Sequence, residues 1–139
     1  MNRKVVAVDN EAKVIRQVVD VLLRDEYVAI TAENGADAVS KVRTEQPWLI
    51  VLGKELPDMP GKQMLECLGI TPASPTLALG VIMLSRPTWK ECSESFGLRP
   101  YPDAPGMYLF KPFNPMELRQ YIRYLREQMQ KVNGNTTTE

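Results

Sequence analysis

The sequence predicts a single α/β domain built on a parallel sheet. Three observations carry that prediction. Short apolar segments recur along the chain, the pattern of strands buried on both faces. Segments with helical apolar spacing lie between them. The chain has 139 residues, which fits one domain but leaves two undersized. Strict alternation of strand and helix implies crossover helices on both faces of the sheet.

Lys4 to Val8 (KVVAV) is short, β-branched and flanked by polar residues, and so reads as the first strand. A helix over Glu11 to Arg24 places Val14, Val18, Val21 and Leu22 on one face and Arg16, Gln17, Asp20 and Arg24 on the other. Tyr27 to Ala32 reads as a second strand. Asn34 caps a second helix through Lys41 and Arg43, with Ala38, Val39 and Val42 inward. Trp48 to Leu52 (WLIVL) is the third strand, and Leu56 to Gly61 (LPDMPG) is a loop by composition. Gln63 to Leu68 reads as a short helix, stopped by the prolines at 72 and 75.

Leu77 to Leu84 supplies the fourth strand. Pro87 to Phe96 is weakly helical, and Arg99 to Gly106, with three prolines in eight residues, reads as irregular. Met107 to Phe110 is the fifth strand. The last helix has the clearest start: Asn114 as cap, Pro115 at the first helical position and Glu117 three residues after the cap. Leu118, Tyr121, Ile122 and Leu125 form its apolar face. From about Gln130 the chain turns polar and ends NGNTTTE. The division is a domain over residues 1–126, then a helix extension and disordered tail over 127–139.

The sum is a flavodoxin-like, doubly wound, five-stranded parallel sheet of order 2-1-3-4-5, with helices on both faces and an irregular fourth-helix region. Function in such folds gathers at the carboxyl ends of the strands. The residues placed there are Asp9 and Asn10, Gly53 to Glu55, Ser85 and Arg86, and Lys111.

Composition removes several function classes. The chain has no histidine, which excludes a Ser-His-Asp triad, a Cys-His dyad and any histidine-containing metal site within it. Seventeen basic residues balance seventeen acidic ones, so no basic field favours nucleic acid or anionic membrane. Cys67 and Cys92 are too few for a disulfide framework or a four-thiolate zinc site and read as reduced thiols. Only Val5 to Val8 separate Arg3 and Lys4 from Asp9, so no signal peptide is visible and a cytoplasmic location is expected. No nucleophile–base pair or phosphate-binding glycine loop stands out, so the chain is not expected to be an enzyme.

The strand-end residues also carry a family resemblance. VAVDNE at Val6 to Glu11, AENGADAV at Ala32 to Val39 and WLIVLGKELPDMPG at Trp48 to Gly61 resemble, in order, the motifs of bacterial response-regulator receiver domains (CheY-like). VIMLS at Val81 to Ser85 and YLFKPFNPMEL at Tyr108 to Leu118 complete the set. The resemblance covers roughly residues 3–126, nearly the whole chain.

The resemblance implies a role in two-component (phosphorelay) signalling and a protein partner, and it leaves a homodimer open. It also implies a phosphoryl-transfer pocket: acidic residues and Mg²⁺ after the first strand, and an aspartate acceptor after the third. A hydroxyl follows the fourth strand, and a lysine and an aromatic belong to the fifth. Carried over residue by residue, Asp9 matches the first acidic position and Asn10 stands at the second. Ser85 matches the hydroxyl, Lys111 the lysine and Tyr108 the switch aromatic. The acceptor position, four residues before Pro57, is Gly53, which has no side chain to modify.

The reading is therefore a degenerate pseudo-receiver that acts without aspartyl phosphorylation. Mg²⁺ binding is lost and Asp9 pairs with Lys111. One alternative is a small-molecule sensor whose altered pocket, lined by Asp9, Gly53, Ser85 and Lys111, binds a ligand. The other is an active receiver using a displaced carboxylate, Glu55 or Asp58. Trp89, Phe96 and Tyr101 read equally as an exposed aromatic surface or as cover for the sheet edge. Tyr108 reads as a rotamer switch or as a permanently packed ring.

Overall fold

The structure is a computed structural model, and it describes residues 2–70, 79–86, 99–100 and 107–137. In chain order the elements are β1 (Lys4–Val8), α1 (Ala12–Arg24), β2 (Val28–Thr31), α2 (Gly35–Glu45) and β3 (Leu49–Gly53). There follow α3 (Gly61–Cys67), β4 (Gly80–Ser85), β5 (Arg99–Pro100), β6 (Met107–Phe110) and α4 (Pro115–Thr137).

The sheet order is β2-β1-β3-β4-β6-β5. The five strands expected from the sequence are parallel and take the order 2-1-3-4-5 among themselves. The sixth, Arg99–Pro100, pairs antiparallel with β6, Arg99 opposite Tyr108 and Pro100 opposite Met107. This corrects the reading of that segment as wholly irregular. Proline is tolerated on an edge strand because its missing N–H need not serve a further neighbour. The expected fourth helix, Trp89, Phe96, Tyr101 and Cys92 lie outside the described residues.

Side chains alternate across the strands and so divide the core into two layers. Val5, Ala7, Leu49, Val51, Ile82, Leu84 and Leu109 pack with Val14, Val18 and Leu22 of α1 and Leu118, Ile122 and Leu125 of α4. Val6, Val8, Ile50, Leu52, Val81 and Met83 pack on the other face with Ala38, Val39 and Val42 of α2 and Met64 and Leu65 of α3. Double burial accounts for the unbroken apolar runs Val5–Val8, Leu49–Leu52 and Val81–Leu84, whereas the edge strand β2 is partly exposed.

Both expected helix caps are present. The Asn34 side chain accepts from the Asp37 N–H at 2.8 Å. Asn114 accepts from the Met116 N–H at 2.8 Å, and the Glu117 carboxylate accepts from the Asn114 N–H at 3.1 Å, the reciprocal arrangement its spacing implied. One boundary differs. The backbone of α4 stays helical through Thr137, beyond Gln130 where the sequence turns polar. Extending an existing helix adds a hydrogen bond for each residue fixed, whereas starting one does not.

Candidate functional site

The topology brings four strand ends side by side. β1 pairs with β3, β3 with β4 and β4 with β6, so Asp9, Gly53, Ser85 and Lys111 converge at one edge of the sheet. Asp9, Ser85 and Lys111 are the buried polar or charged residues of the described core. Burying charges is costly unless they are paired, and here they are. Lys111 Nζ lies 2.9 Å from Asp9 Oδ2 and donates to Oδ1 at 3.0 Å. Oδ1 also accepts from the Glu11 N–H at 2.9 Å. Oδ2 is buried and, although close to the ammonium, accepts no hydrogen bond.

The pair is part of a larger network. Lys111 Nζ also donates to Glu11 Oε2 at 2.9 Å, and the other Glu11 oxygen accepts from Arg86. Two carboxylates thus meet two cations, and the formal charge of the cluster is zero. Burial pushes the Asp9 carboxyl above its usual range, opposed by the hydrogen bond from Lys111. Glu11 is held below its usual value, chiefly by that same ammonium. Sequence reasoning omitted Glu11 and gave Arg86 no role. The available signal was position: Glu11 follows Asp9 and Asn10 directly and starts α1, so it stands at the same strand end as the cations Arg86 and Lys111.

Gly53 ends β3 beside this network. A Cβ built on it would stand 2.5 Å from Asp9 Oδ2 and 2.9 Å from Asp9 Cγ. The Asp9 carboxylate therefore occupies the space that any side chain at 53 would begin to fill. Gly61 is held by a related constraint, since a Cβ there would lie 2.5 Å from the Gly53 carbonyl oxygen. The Ser85 hydroxyl donates to the carbonyl of Arg86 at 3.3 Å. Tyr108 is half-buried, with its ring 6.3 Å from that of Phe110.

Asn10 is exposed. With Lys54, Glu55, Ser85, Arg86 and Lys111 it lines a cavity of about 260 Å³ at the strand ends. Asp58 stands elsewhere. Its carboxylate accepts from the N–H groups of Gly35 and Ala36 at 2.7 and 3.0 Å, and these two bonds hold it below the usual carboxylate range. It caps α2 rather than facing Lys111. Among the described residues no three Asp, Glu, Cys or His side chains cluster so as to hold a metal ion, and no helix is long and apolar enough to cross a membrane.

A parallel sheet of this order, with acid and lysine converging at the carboxyl ends of its strands, defines the receiver class of α/β domain. The response regulator receiver domain profile matches residues 5–123, and the chain belongs to that family. It is 32% identical over 123 residues to the alkaline phosphatase synthesis transcriptional regulatory protein PhoP of Bacillus subtilis, a match covering 88% of this chain and 48% of the relative. It is 27% identical to the regulatory protein VanRc of Enterococcus gallinarum, covering 99% and 56%. The chain thus spans about half the length of these relatives.

Solved structures show the same fold. A CheY-like receiver domain protein of Methanospirillum hungatei superposes with a TM-score of 0.71 at 20% identity, covering 95% of this chain and 99% of that one. The chemotaxis regulator CheY4 of Vibrio cholerae gives 0.66 at 22% identity, covering 90% and 99%. The chain is a receiver domain of the two-component response-regulator type, a class that works through partner proteins in signalling.

Proposed function

We propose that this receiver signals by protein–protein contact without aspartyl phosphorylation, as a non-enzymatic module in the cytoplasm. One observation carries the reading. The residue at the acceptor position is Gly53, and the Asp9 carboxylate already occupies the space next to it. Phosphoryl transfer to a receiver needs a carboxylate oxygen in line with the donor phosphorus. Gly53 offers none, and Asp58 is committed to the start of α2.

The residues present also do not fit a resident Mg²⁺. The ion needs several oxygen ligands in near-octahedral array and favours carboxylates. Asp9 and Glu11 are each already bound to Lys111, and Asn10 is neutral. Loss of Mg²⁺ binding is part of the proposal. The test is intact-mass spectrometry after incubation with acetyl phosphate and MgCl₂. The expected result is an unmodified chain, and stoichiometric addition of one phosphoryl group overturns the reading. Its partner is a protein of the same signalling system or a second copy of the chain, which light scattering distinguishes. No nucleic acid or membrane contact is proposed for this domain.

The cavity of about 260 Å³ beside Lys111 favours a second reading, in which a small molecule replaces phosphorylation as the input. A thermal-shift screen against a metabolite panel tests it. Saturable stabilisation that Lys111→Met abolishes supports this reading, and no hit across the panel counts against it.

A further inference from the structure

The opposite end of the sheet holds a second cluster of charge. Arg3 precedes β1, Tyr27 precedes β2 and Trp48 precedes β3. Arg119, Arg123 and Arg126 lie four and then three residues apart on α4, the spacing of one helix stripe. Arg3, Tyr27, Arg119, Arg123 and Arg126 line a cleft of about 360 Å³ together with Asp25. Four guanidinium groups therefore face two carboxylates, Asp25 and the exposed Glu127, in a chain whose overall charge is zero.

The partners are unevenly distributed. Asp25 is taken by Arg119, which donates to it through Nε at 3.1 and 2.9 Å and through Nη2 at 2.8 Å. Arg3 donates to the backbone carbonyls of Asp25 and Glu26. Arg126 donates to the carbonyl of Asn2 at 2.8 Å and, among the described residues, pairs with no carboxylate. Its guanidinium lies 4.6 Å from the centre of the Trp48 ring and 5.6 Å from that of Tyr27. Arg3 lies 4.7 Å from the same Tyr27 ring. Two like charges are thus gathered on one aromatic face, and Trp48 Nε1 beneath them is buried without a hydrogen-bond partner.

Packing on the rings explains why Arg3 and Arg126 are held there. It does not explain Arg123, which the Asp25 charge reaches only at a distance, which has no hydrogen bond or direct ion pair within the described residues, and which stands between Arg119 and Arg126 on the cleft wall. A guanidinium presents a planar fork suited to two oxygens of one anion. Arg126 is already ordered by stacking, so binding costs it little further side-chain freedom.

We propose that this cleft is a second binding site, for a ligand bearing a phosphoryl or carboxylate oxyanion, at the end of the sheet remote from Lys111. Arg123 and Arg126 grip the anion, and the Tyr27 and Trp48 rings fix Arg126. The site is independent of whether residue 53 accepts a phosphoryl group.

The test is an NMR titration of the 139-residue chain, following arginine Nε–Hε signals, with pyrophosphate in one arm and citrate in the other at matched ionic strength. The expected result is saturable shifts at Arg123 and Arg126. Arg123→Gln should weaken binding about tenfold, the scale of one charge-assisted hydrogen bond. Because Arg123 is exposed, this variant should keep its melting temperature. Arg126→Lys, which keeps the charge but loses the fork, should weaken binding as well. Tighter binding in the pyrophosphate arm assigns a phosphoryl ligand, and tighter binding in the citrate arm assigns a carboxylate one. Shifts that never saturate, affinity unchanged in Arg123→Gln, or shifts centred on Arg86 and Lys111 each overturn the proposal.

Discussion

Lys111 holds two carboxylates with one ammonium, and its environment decides what that is worth. Exposed ion pairs contribute about 0–1 kcal/mol. Removing one partner of a buried pair costs about 3–5 kcal/mol, because the other charge is left dry and unpaired. The Asp9 side chain is 1% exposed and that of Lys111 7%, so the second case applies. Lys111→Met should lower unfolding stability by about 3 kcal/mol in urea titrations, and a loss under about 1 kcal/mol would mean that the pair is screened like a surface one.

Gly53→Ala poses an opposed pair of effects. Alanine gains about 0.4–1 kcal/mol by restricting the unfolded chain, whereas crowding a packed site costs about 1–3 kcal/mol. Gly53 is absent from the left-handed backbone positions, which include Gly69 at φ 79, so its backbone does not itself demand glycine. The contact with Asp9 dominates, and the variant should be destabilised by about 1 kcal/mol in the same assay. Asp25 gives a pH prediction. Arg119 holds its carboxyl below the ordinary value of 3.8. Its contribution to stability is therefore present above that value and is lost as pH falls through the lowered folded-state value. Arg119→Gln should be less stable than the parent at neutral pH, and the two urea midpoints should converge in strong acid.

At the scale of elements, the helix starts were the most legible part of the sequence. Asn34 and the Asn114–Pro115–Glu117 set depend on local chemistry, and local spacing is what a sequence displays directly. The second tie at α2 was not legible. Asp58 reaches the Gly35 and Ala36 N–H groups from more than twenty positions away, so only the packing of the β3–α3 loop against α2 reveals it. Asp58→Ala should speed amide hydrogen exchange at Gly35 and Ala36 while leaving the start of α4 unchanged. The short antiparallel strand at Arg99–Pro100 was also hidden, because its three prolines per eight residues read locally as pure turn chemistry. Among the described residues β4 runs from Gly80 to Ser85, and Leu77, where the sequence reading began this strand, lies outside them.

At the scale of the whole molecule, the strand order was readable because alternation and double burial leave few other arrangements. That order placed Asp9, Gly53, Ser85 and Lys111 together before any distance was known. What it could not supply was how the charges would be shared. Glu11 enters the network as the residue at the start of α1, where its N–H is tied to Asp9 Oδ1 and its carboxylate reaches Lys111 and Arg86. The whole-chain balance of seventeen against seventeen is repeated in the four-residue cluster at the strand ends, but it fails at the other end, where arginines exceed carboxylates. A molecule that is neutral overall is therefore polarised locally. Binding of pyrophosphate should weaken steeply as salt is raised, whereas the contribution of the buried Asp9–Lys111 pair to unfolding stability should be nearly independent of salt.

The contact between Asp9 and the open side of Gly53 also bears on how the chain can change. A single substitution that introduces a carboxylate at position 53 sets its Cβ against Asp9 Oδ2 at 2.5 Å. Asp9 would have to swing away, and its shared hold on Lys111 with Glu11 opposes that movement. A side chain at position 53 is then accommodated only together with a rearrangement of the Asp9–Lys111–Glu11 contacts, so the two positions are coupled.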